Sequence, residues 1–491
     1  MALTGTIIIV FFVSLAALAP ILTNVNPIYS TELASPYSVP QWAKIFPAYS
    51  SLPVDTQYFT QGDFKAPSSV GLFTYSPKNN TQFAGMTFAY AWNGAIGPSR
   101  AQAESYDLAN TGPGSLQVIV SNPRGSSYTT FSLSRDFSYD YVPPQRFRLG
   151  LYMLANTTTP LSVIVSATLS NSSKSYLILS QDQLQVQNKS WTHLTADSHS
   201  EQMEVLISPN NLLADIASLM LSSEGTYNVN ISLAVTNLPK GSTSIYISDA
   251  MFFVFGSAYG PLGTDDQGRS VWSQFVFGAR VSLEVGFFAA AIVIMLASLI
   301  GVVSAYYGGW VDETLMRLND LLLTIPVLPL LLVLILVVDI SHANIDTEEL
   351  IVLLIGFLGW EVYARVIRSQ VLSVKERTFV SAARTLGVKP RTIIRRHIMP
   401  NVAGLIYALL SQAVPVAILL EAALSFLGFY DPTVISWGRM LGSAQSVAIV
   451  PTYGFVWWWF LPPGIAIALV SVSFIFIGNA LDEMFNPKLV R

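Results

Sequence analysis

The chain is predicted to be an α+β membrane protein: a six-helix transmembrane core carrying an inserted antiparallel β-sandwich of jelly-roll type. Three observations lead there. Mean hydropathy is +0.48 with only 11% charged residues, far from an ordinary water-soluble chain. Six apolar stretches approach the roughly twenty residues that a bilayer-spanning helix needs. Between the first two lies a long polar segment rich in Ser, Thr, Asn, Gly and Tyr.

The first stretch, Thr4–Leu22, reads as an uncleaved anchor. Its rival is a signal peptide cut after Ala17-Leu18-Ala19, but Pro20 would follow the cut and no Lys or Arg precedes the apolar run. Runs that alternate or are β-branched follow at Leu116–Ser121, Phe147–Leu154, Leu161–Leu169, Gln202–Ile207, Tyr227–Val235 and Ser244–Phe253. Turn residues such as Asn122-Pro123-Arg124-Gly125 and Pro239-Lys240-Gly241 separate them, the spacing of a sandwich. The sequons at Asn79, Asn156, Asn171, Asn188 and Asn230 are compatible with surface glycosylation.

The remaining spans are Val285–Tyr306, Leu321–Val338, Leu350–Arg365, Val402–Ala423 and Val456–Ile477, the third of these five interrupted by Glu361 and Arg365. This divides the chain into an anchor at 1–23, an extracytoplasmic β-sandwich at 24–260 and a five-helix core at 261–491 with a loop at 371–401. Basic residues cluster in that loop and in the tail at Lys488 and Arg491. Both ends and the loop are therefore expected in the cytoplasm, with the sandwich outside.

The loop contains Thr378–Asn401, TFVSAARTLGVKPRTIIRRHIMPN. Good helix formers precede Gly387, which can take the left-handed conformation that ends a helix; Pro390 suits the first turn of a second helix, and Pro400 is expected to stop it. Cytoplasmic positive charge alone accounts for the arginines singly. It does not account for the Ala382-Ala383 pair, Gly387 four residues later and the Ile398-Met399-Pro400 ending.

This segment resembles the cytoplasmic loop, with its Glu-Ala-Ala, Gly and Ile-x-Leu-Pro pattern, of permease subunits of ABC importers. Ser381 stands where that family often has Glu, and Met399 where it has Leu. Further along the chain, Gly263-Thr264-Asp265-Asp266-Gln267-Gly268-Arg269, Phe277-Gly278-Ala279-Arg280, Tyr306-Tyr307-Gly308-Gly309-Trp310-Val311-Asp312, Glu421-Ala422-Ala423-Leu424-Ser425-Phe426-Leu427-Gly428 and Ser436-Trp437-Gly438 resemble the C-type subunit of the dipeptide, oligopeptide and nickel branch. The resemblance implies coupling to an ATPase through Ser381, Ala382, Ala383, Arg384, Gly387, Ile398 and Pro400. It also implies a second permease subunit, two ATPase subunits that bind ATP and Mg, and an extracytoplasmic solute-binding protein delivering an oligopeptide or an oligosaccharide.

Each motif also has a plain structural reading. Asp265 and Asp266 suit a helix start at the outer interface, Gly308-Gly309 a turn, and Trp437 an interfacial anchor. Glu361 and Glu421 are candidates for the pore or for subunit packing, because charge inside a bilayer tends to face the bundle interior. Glu284 and Asp320 lie near span ends. The β-sandwich is expected to dock the binding protein, with Trp92 and Trp191 as candidate sugar-stacking residues.

Several classes are set aside. No lysine follows a glycine and precedes Ser or Thr, so this chain has no phosphate-cradling loop and ATP hydrolysis is expected on other chains. There are no cysteines, and His193, His199, His342 and His397 lack ligand spacing, so no metal is expected. A net charge of -4 gives no reason to expect nucleic acid. The Asp136 and Asp140 carboxylates near a turn are expected to be solvated rather than catalytic. The competing class is a multi-span surface receptor or carbohydrate-binding glycoprotein without transport activity.

Overall fold

A computed structural model describes residues 2–58, 66–83, 86–96, 114–123, 128–157, 161–186, 191–200, 203, 207, 215–340, 346–448 and 455–485. The chain forms two compact units. One is Thr31–Arg269; the other combines Met1–Ser30 with Ser270–Arg491.

The first unit is built from two antiparallel sheets. One runs in the order β10 (Thr192–Asp197), β7 (Arg146–Asn156), β12 (Gly241–Phe255), β5 (Ser115–Asn122), β4 (Met86–Asn93), β3 (Thr81–Phe83), with β1 (Thr56–Gln57) also pairing β12. The other runs β2 (Thr74–Ser76), β6 (Tyr128–Tyr139), β11 (Gly225–Thr236), β8 (Leu161–Ser170), β9 (Ser175–Val186). Strict alternation explains the layering: β8 buries Leu161, Val163, Val165, Ala167 and Leu169, and β11 buries Tyr227, Val229, Ile231, Leu233 and Val235. These residues join Phe88, Leu116, Val118 and Val120 of the facing sheet in one apolar core. Each large inward side chain contributes about 1.5–3 kcal/mol. The Gln202–Ile207 run falls mostly outside the described residues, as do Asn188 and His342.

The two ends of this unit are knitted together, which suits a domain inserted in another chain. Val39 and Val54 both bridge Ala258. The Ser38 hydroxyl donates to the carbonyls of Ser35 and Gly256, and the Ser38 N–H donates to the Thr264 hydroxyl at 2.8 Å. Beside them Arg146 and Arg148 each bond both Glu32 and Asp197 at 2.6–2.8 Å, over the face of Phe255. Burial alone would raise the Glu32 and Asp197 carboxyls, but the two guanidinium groups outweigh it and hold both below the usual range. Among the described residues, no cation offsets burial at Asp55. Burial pushes its carboxyl up to about 7, although Oδ1 accepts the Gly256 N–H at 2.7 Å.

Asp265 and Asp266 do not start a helix. The buried Asp265 carboxylate accepts from the N–H groups of Gln267 and Arg269 and from Arg269 Nε, which folds the segment into a tight loop. The next helix is capped instead by Ser270, whose hydroxyl accepts the Ser273 N–H.

The second unit is helical: α1 (Ala2–Ala17), α2 (Val271–Tyr307), α3 (Gly309–Thr324), α4 (Val327–Ile340), α5 (Thr347–Leu358), α6 (Glu361–Lys375), α7 (Thr378–Thr385), α8 (Pro390–Phe426), α9 (Trp437–Ala448) and α10 (Trp457–Phe485). Among the described residues α2, α8 and α10 are each long and apolar enough to cross a membrane, and counting each of the bent pairs α3–α4 and α5–α6 as one span makes five. The chain is thus multi-pass, with the large β insertion outside.

Three expectations need correction. The span at Leu321–Val338 is not one helix: α3 and α4 meet at 87°. Pro326 has no N–H to continue the ladder and forces Ile325 into extended backbone, φ -88 and ψ 124. The span at Leu350–Arg365 bends by 40° at Gly359-Trp360, where the Trp360 indole donates to the Phe357 carbonyl at 3.1 Å. Pro400 stops nothing. A π-turn at Ile394–Ile398 opens the helix just before it, and α8 runs unbroken from Pro390 to Phe426.

Close packing relies on small residues. A Cβ on Gly301 of α2 would sit 2.7 Å from the Ala364 carbonyl and 3.1 Å from the Arg368 nitrogen of α6, so only glycine permits this crossing. Elsewhere α2 exposes Phe287, Phe288, Met295 and Leu299, a surface suited to lipid or to other helices.

Candidate coupling site

The α7 helix is amphipathic. Val380 and Ala383 are buried, while Ser381, Ala382, Arg384 and Thr385 are exposed. It ends in a Schellman closure: the Val388 N–H donates to the Ala383 carbonyl at 3.1 Å and the Gly387 N–H to the Arg384 carbonyl at 2.9 Å. Gly387 takes φ +74, a conformation that costs a side-chain-bearing residue roughly 1–2 kcal/mol. Open space surrounds it, and the neighbouring Leu386 is 82% exposed. The corner therefore presents a small apolar tip, Ala382 and Leu386, within a basic rim of Arg384, Lys389, Arg391, Arg395 and Arg396.

The expected coupling residues fall in three places. Ser381, Ala382, Arg384 and Gly387 lie together at the corner and are exposed. Ala383 and Ile398 are buried and hold the segment's shape, while Pro400 is exposed on the first turn of the helix beyond the π-turn.

A set of contacts that sequence reasoning missed fixes this corner to the end of α2. Arg368 of α6 grips Asp312 of α3 through Nε–Oδ1 at 2.6 Å and Nη2–Oδ2 at 2.5 Å. Asp312 Oδ1 also accepts the Ser304 hydroxyl of α2 at 2.6 Å. Lys375 Nζ donates to the Ala305 carbonyl at 2.9 Å, and the Arg384 guanidinium lies 5.0 Å from the centre of the Tyr306 ring. Two cations thus meet the C-terminus of α2, where unpaired carbonyls favour positive charge. The Tyr306–Asp312 motif was visible in sequence; its partners, more than fifty residues away, were not. Gly308 and Gly309, at φ +69 and +52, make the turn between the helices.

A second constellation lies on the far part of α8. The buried Glu421 accepts through Oε1 from the hydroxyls of Ser425 at 2.8 Å and Ser436 at 2.7 Å. Trp437 is not an interfacial anchor. It is fully buried, its N–H bonded to the Ser282 hydroxyl at 3.0 Å and its indole to the Phe275 carbonyl at 3.0 Å. Arg439 pins the preceding loop by donating to the carbonyls of Asp431, Pro432 and Val434. Glu421 thus bonds within the unit, linking α8 to the residue before α9. Glu361 is buried at the bend before α6, beside the buried Asn319; Asp320 pairs with Arg365, and Glu284 with Arg280.

In the β unit, Asp136 accepts from its cross-strand neighbour Asn228 and Asp140 accepts from Ser138, so the two carboxylates have separate partners. Asn79 accepts the Tyr90 N–H, Asn171 closes a turn onto Ser173 and Lys174, Asn156 is exposed, and Asn230 lies part-buried on β11. His193 stacks on Tyr152 and His397 packs against Phe379. Among the described residues, no three His, Asp or Glu side chains converge as a metal site would need.

Residues 294–491 match the family described as "Binding-protein-dependent transport system inner membrane component". The chain is 36% identical over 230 residues to the dipeptide transport system permease protein DppC of Bacillus subtilis, covering 47% of this chain and 69% of that one. It is 35% identical over 228 residues to the oligopeptide transport system permease protein OppC of the same organism, covering 46% and 71%. The inward-facing MetNI methionine ABC transporter shares 14% identity, with a TM-score of 0.35, over 44% of this chain and 95% of that one. The chain belongs to this family of transport-system membrane components. Within it, it is a C-type permease subunit of the ABC importers, of the dipeptide, oligopeptide and nickel branch, with an extracytoplasmic insertion. It is a translocation subunit, not an enzyme, and the receptor reading gives way.

Proposed function

We propose that this chain passes peptides, delivered by an extracytoplasmic solute-binding protein, to the cytoplasm through a cavity shared with a second permease subunit. Peptide is favoured over oligosaccharide because the named relatives are dipeptide and oligopeptide permeases. Two separate ATPase subunits bind ATP and Mg, and dock at the corner formed by α7 and Gly387. The observation that carries the docking reading is the exposed Schellman closure, backed by the Lys375 hydrogen bond and the Arg384 ring contact to the end of α2. A corner that is rigid and tied to a spanning helix transmits displacement; a loose loop would absorb it.

Finer readings go with it. The chain crosses six times, with α1 and each bent pair counted as one span, and both termini lie in the cytoplasm. The division is 1–23, 24–260 and 261–491. The insertion is jelly-roll-like and docks the binding protein, and its exposed sequons are open to modification. Coupling requires conformational states that bind the partners differently.

Affinity purification of the intact chain in mild detergent, with mass spectrometry of its companions, tests this. Recovery of a second permease and two ATPase chains is expected. The ATPases should be lost in Gly387→Pro, because proline is fixed near φ -65 and cannot form the closure. Recovery of the ATPases with that variant at the native level would remove the corner from the docking site.

A further inference from the structure

The helical unit contains a groove of about 560 Å³ between α1, α2 and α10. Its walls are apolar: Ile9, Val13 and Ala17 from α1, Phe287 and Phe288 from α2, and Phe474 from α10. Its rim carries one ion pair, Arg280 Nε to Glu284 Oε1 at 3.0 Å, with both side chains more than half exposed. We propose that this groove is a binding site for a single zwitterionic phospholipid bearing a primary ammonium, of the phosphatidylethanolamine class.

Depth and charge order support that occupant. The segment after α1 lies beside the start of α2, where the Ser273 hydroxyl donates to the Val25 carbonyl at 2.6 Å, so the two helices run antiparallel. The start of α2 follows the extracytoplasmic insertion directly in sequence, which puts Arg280 and Glu284 toward the outer surface and Ile9, Phe287 and Phe288 deeper. A charged mouth above an apolar trough matches a headgroup above an acyl chain. Arg280 suits a phosphate, and Glu284, one helical turn further along, suits an ammonium. An anionic headgroup without an ammonium would satisfy Arg280 alone and face the Glu284 carboxylate.

The test uses the full chain in vesicles of phosphatidylglycerol, with a trace of photoactivatable phosphatidylethanolamine or photoactivatable phosphatidylglycerol, and maps labelled peptides by mass spectrometry. Peptides from α1 and the first half of α2 are expected to take roughly fivefold more of the ethanolamine probe, the scale set by one charge contact at a membrane surface. Glu284→Gln should abolish that preference, and Arg280→Ala should lower labelling by both probes. Both residues are exposed, so neither variant disturbs packing, and size-exclusion profiles check this. Equal labelling by the two probes overturns the proposal, as does a preference that survives Glu284→Gln. A photocrosslinker at Ala17 that captures a second polypeptide in native membranes instead of lipid would make the groove a subunit interface, and would likewise overturn it.

Discussion

The β insertion and the helical unit solve the burial problem in opposite ways. In the insertion, β8 and β11 alternate buried and part-exposed residues along nearly their whole length, and one apolar core joins both sheets. Its ion pairs are concentrated where the ends of the unit meet. The helical unit instead leaves large apolar side chains exposed along α2, packs through glycine at its closest crossing, and hides carboxylates among hydroxyls. The insertion thus carries the means of its own stability in water, whereas the helical unit is complete only with lipid and partner subunits around it.

The sharpest way to break that contrast is Val165→Asp, which places a charge with no partner in the insertion core. Burying it costs several kcal/mol, enough to unfold a marginally stable domain. Limited proteolysis of the full chain should show the insertion degraded while α2, α8 and α10 remain membrane-embedded. If the helical unit were lost with it, the two units would not be independent.

Next in size is Arg146→Ala, which removes one of the two guanidinium groups that Asp197 and Glu32 share and leaves Arg148 to hold both carboxylates. A loss of about 2–4 kcal/mol is expected, read as a lowered thermal transition of the insertion.

Asp55→Asn sharpens the comparison through pH. Asp55 has its pKa raised from the ordinary 3.8 to about 7, so between those values the folded state binds a proton that the unfolded state has released, and stability falls as pH rises. Glu32 and Asp197 have the opposite sign: their contribution is present above the ordinary carboxylate pKa and is lost as pH falls. Unfolding of the insertion is thus expected to show a stability maximum on the acid side of neutrality. The variant keeps the acceptor for Gly256 and should be the more stable protein at pH 8, by on the order of 2–4 kcal/mol, with the decline toward neutrality removed. A variant no more stable than the native chain at pH 8 would count against a strained Asp55.

The smallest effect belongs to Glu421→Gln. Its Oε1 can still accept from Ser425 and Ser436, so assembly should change by less than about 1 kcal/mol and substrate preference not at all. Altered substrate choice in uptake assays would move Glu421 into the transport path.

How much could be read beforehand follows from the same chemistry. Strands such as β8 and β11 were legible because every inward slot is apolar. β6 was missed because Arg135 takes an inward-phase slot between Leu133 and Phe137, where its guanidinium lies 5.8 Å from the Phe73 ring centre. Apolarity located the spans but did not reveal the bends, since Pro326 and Gly359 sit inside hydrophobic runs. In the coupling segment, Gly387 and Pro390 announced the corner through backbone rules alone. The grip of Arg368 on Asp312 joins residues 56 positions apart and leaves no local trace. Pro400 misled because a π-turn can absorb a proline that an ordinary helix would end at.

One dimension of α2 has mechanical meaning. Its 37 residues make a rod about 56 Å long, nearly twice the roughly 30 Å hydrocarbon thickness. Lys375, Arg384 and the Asp312 clasp hold one end, and the other continues directly into the last residues of the insertion. Pivoting such a lever by about 5° sweeps its far end through roughly 5 Å. A small push at the held end would then reach the start of the helix as a stroke the size of a side chain.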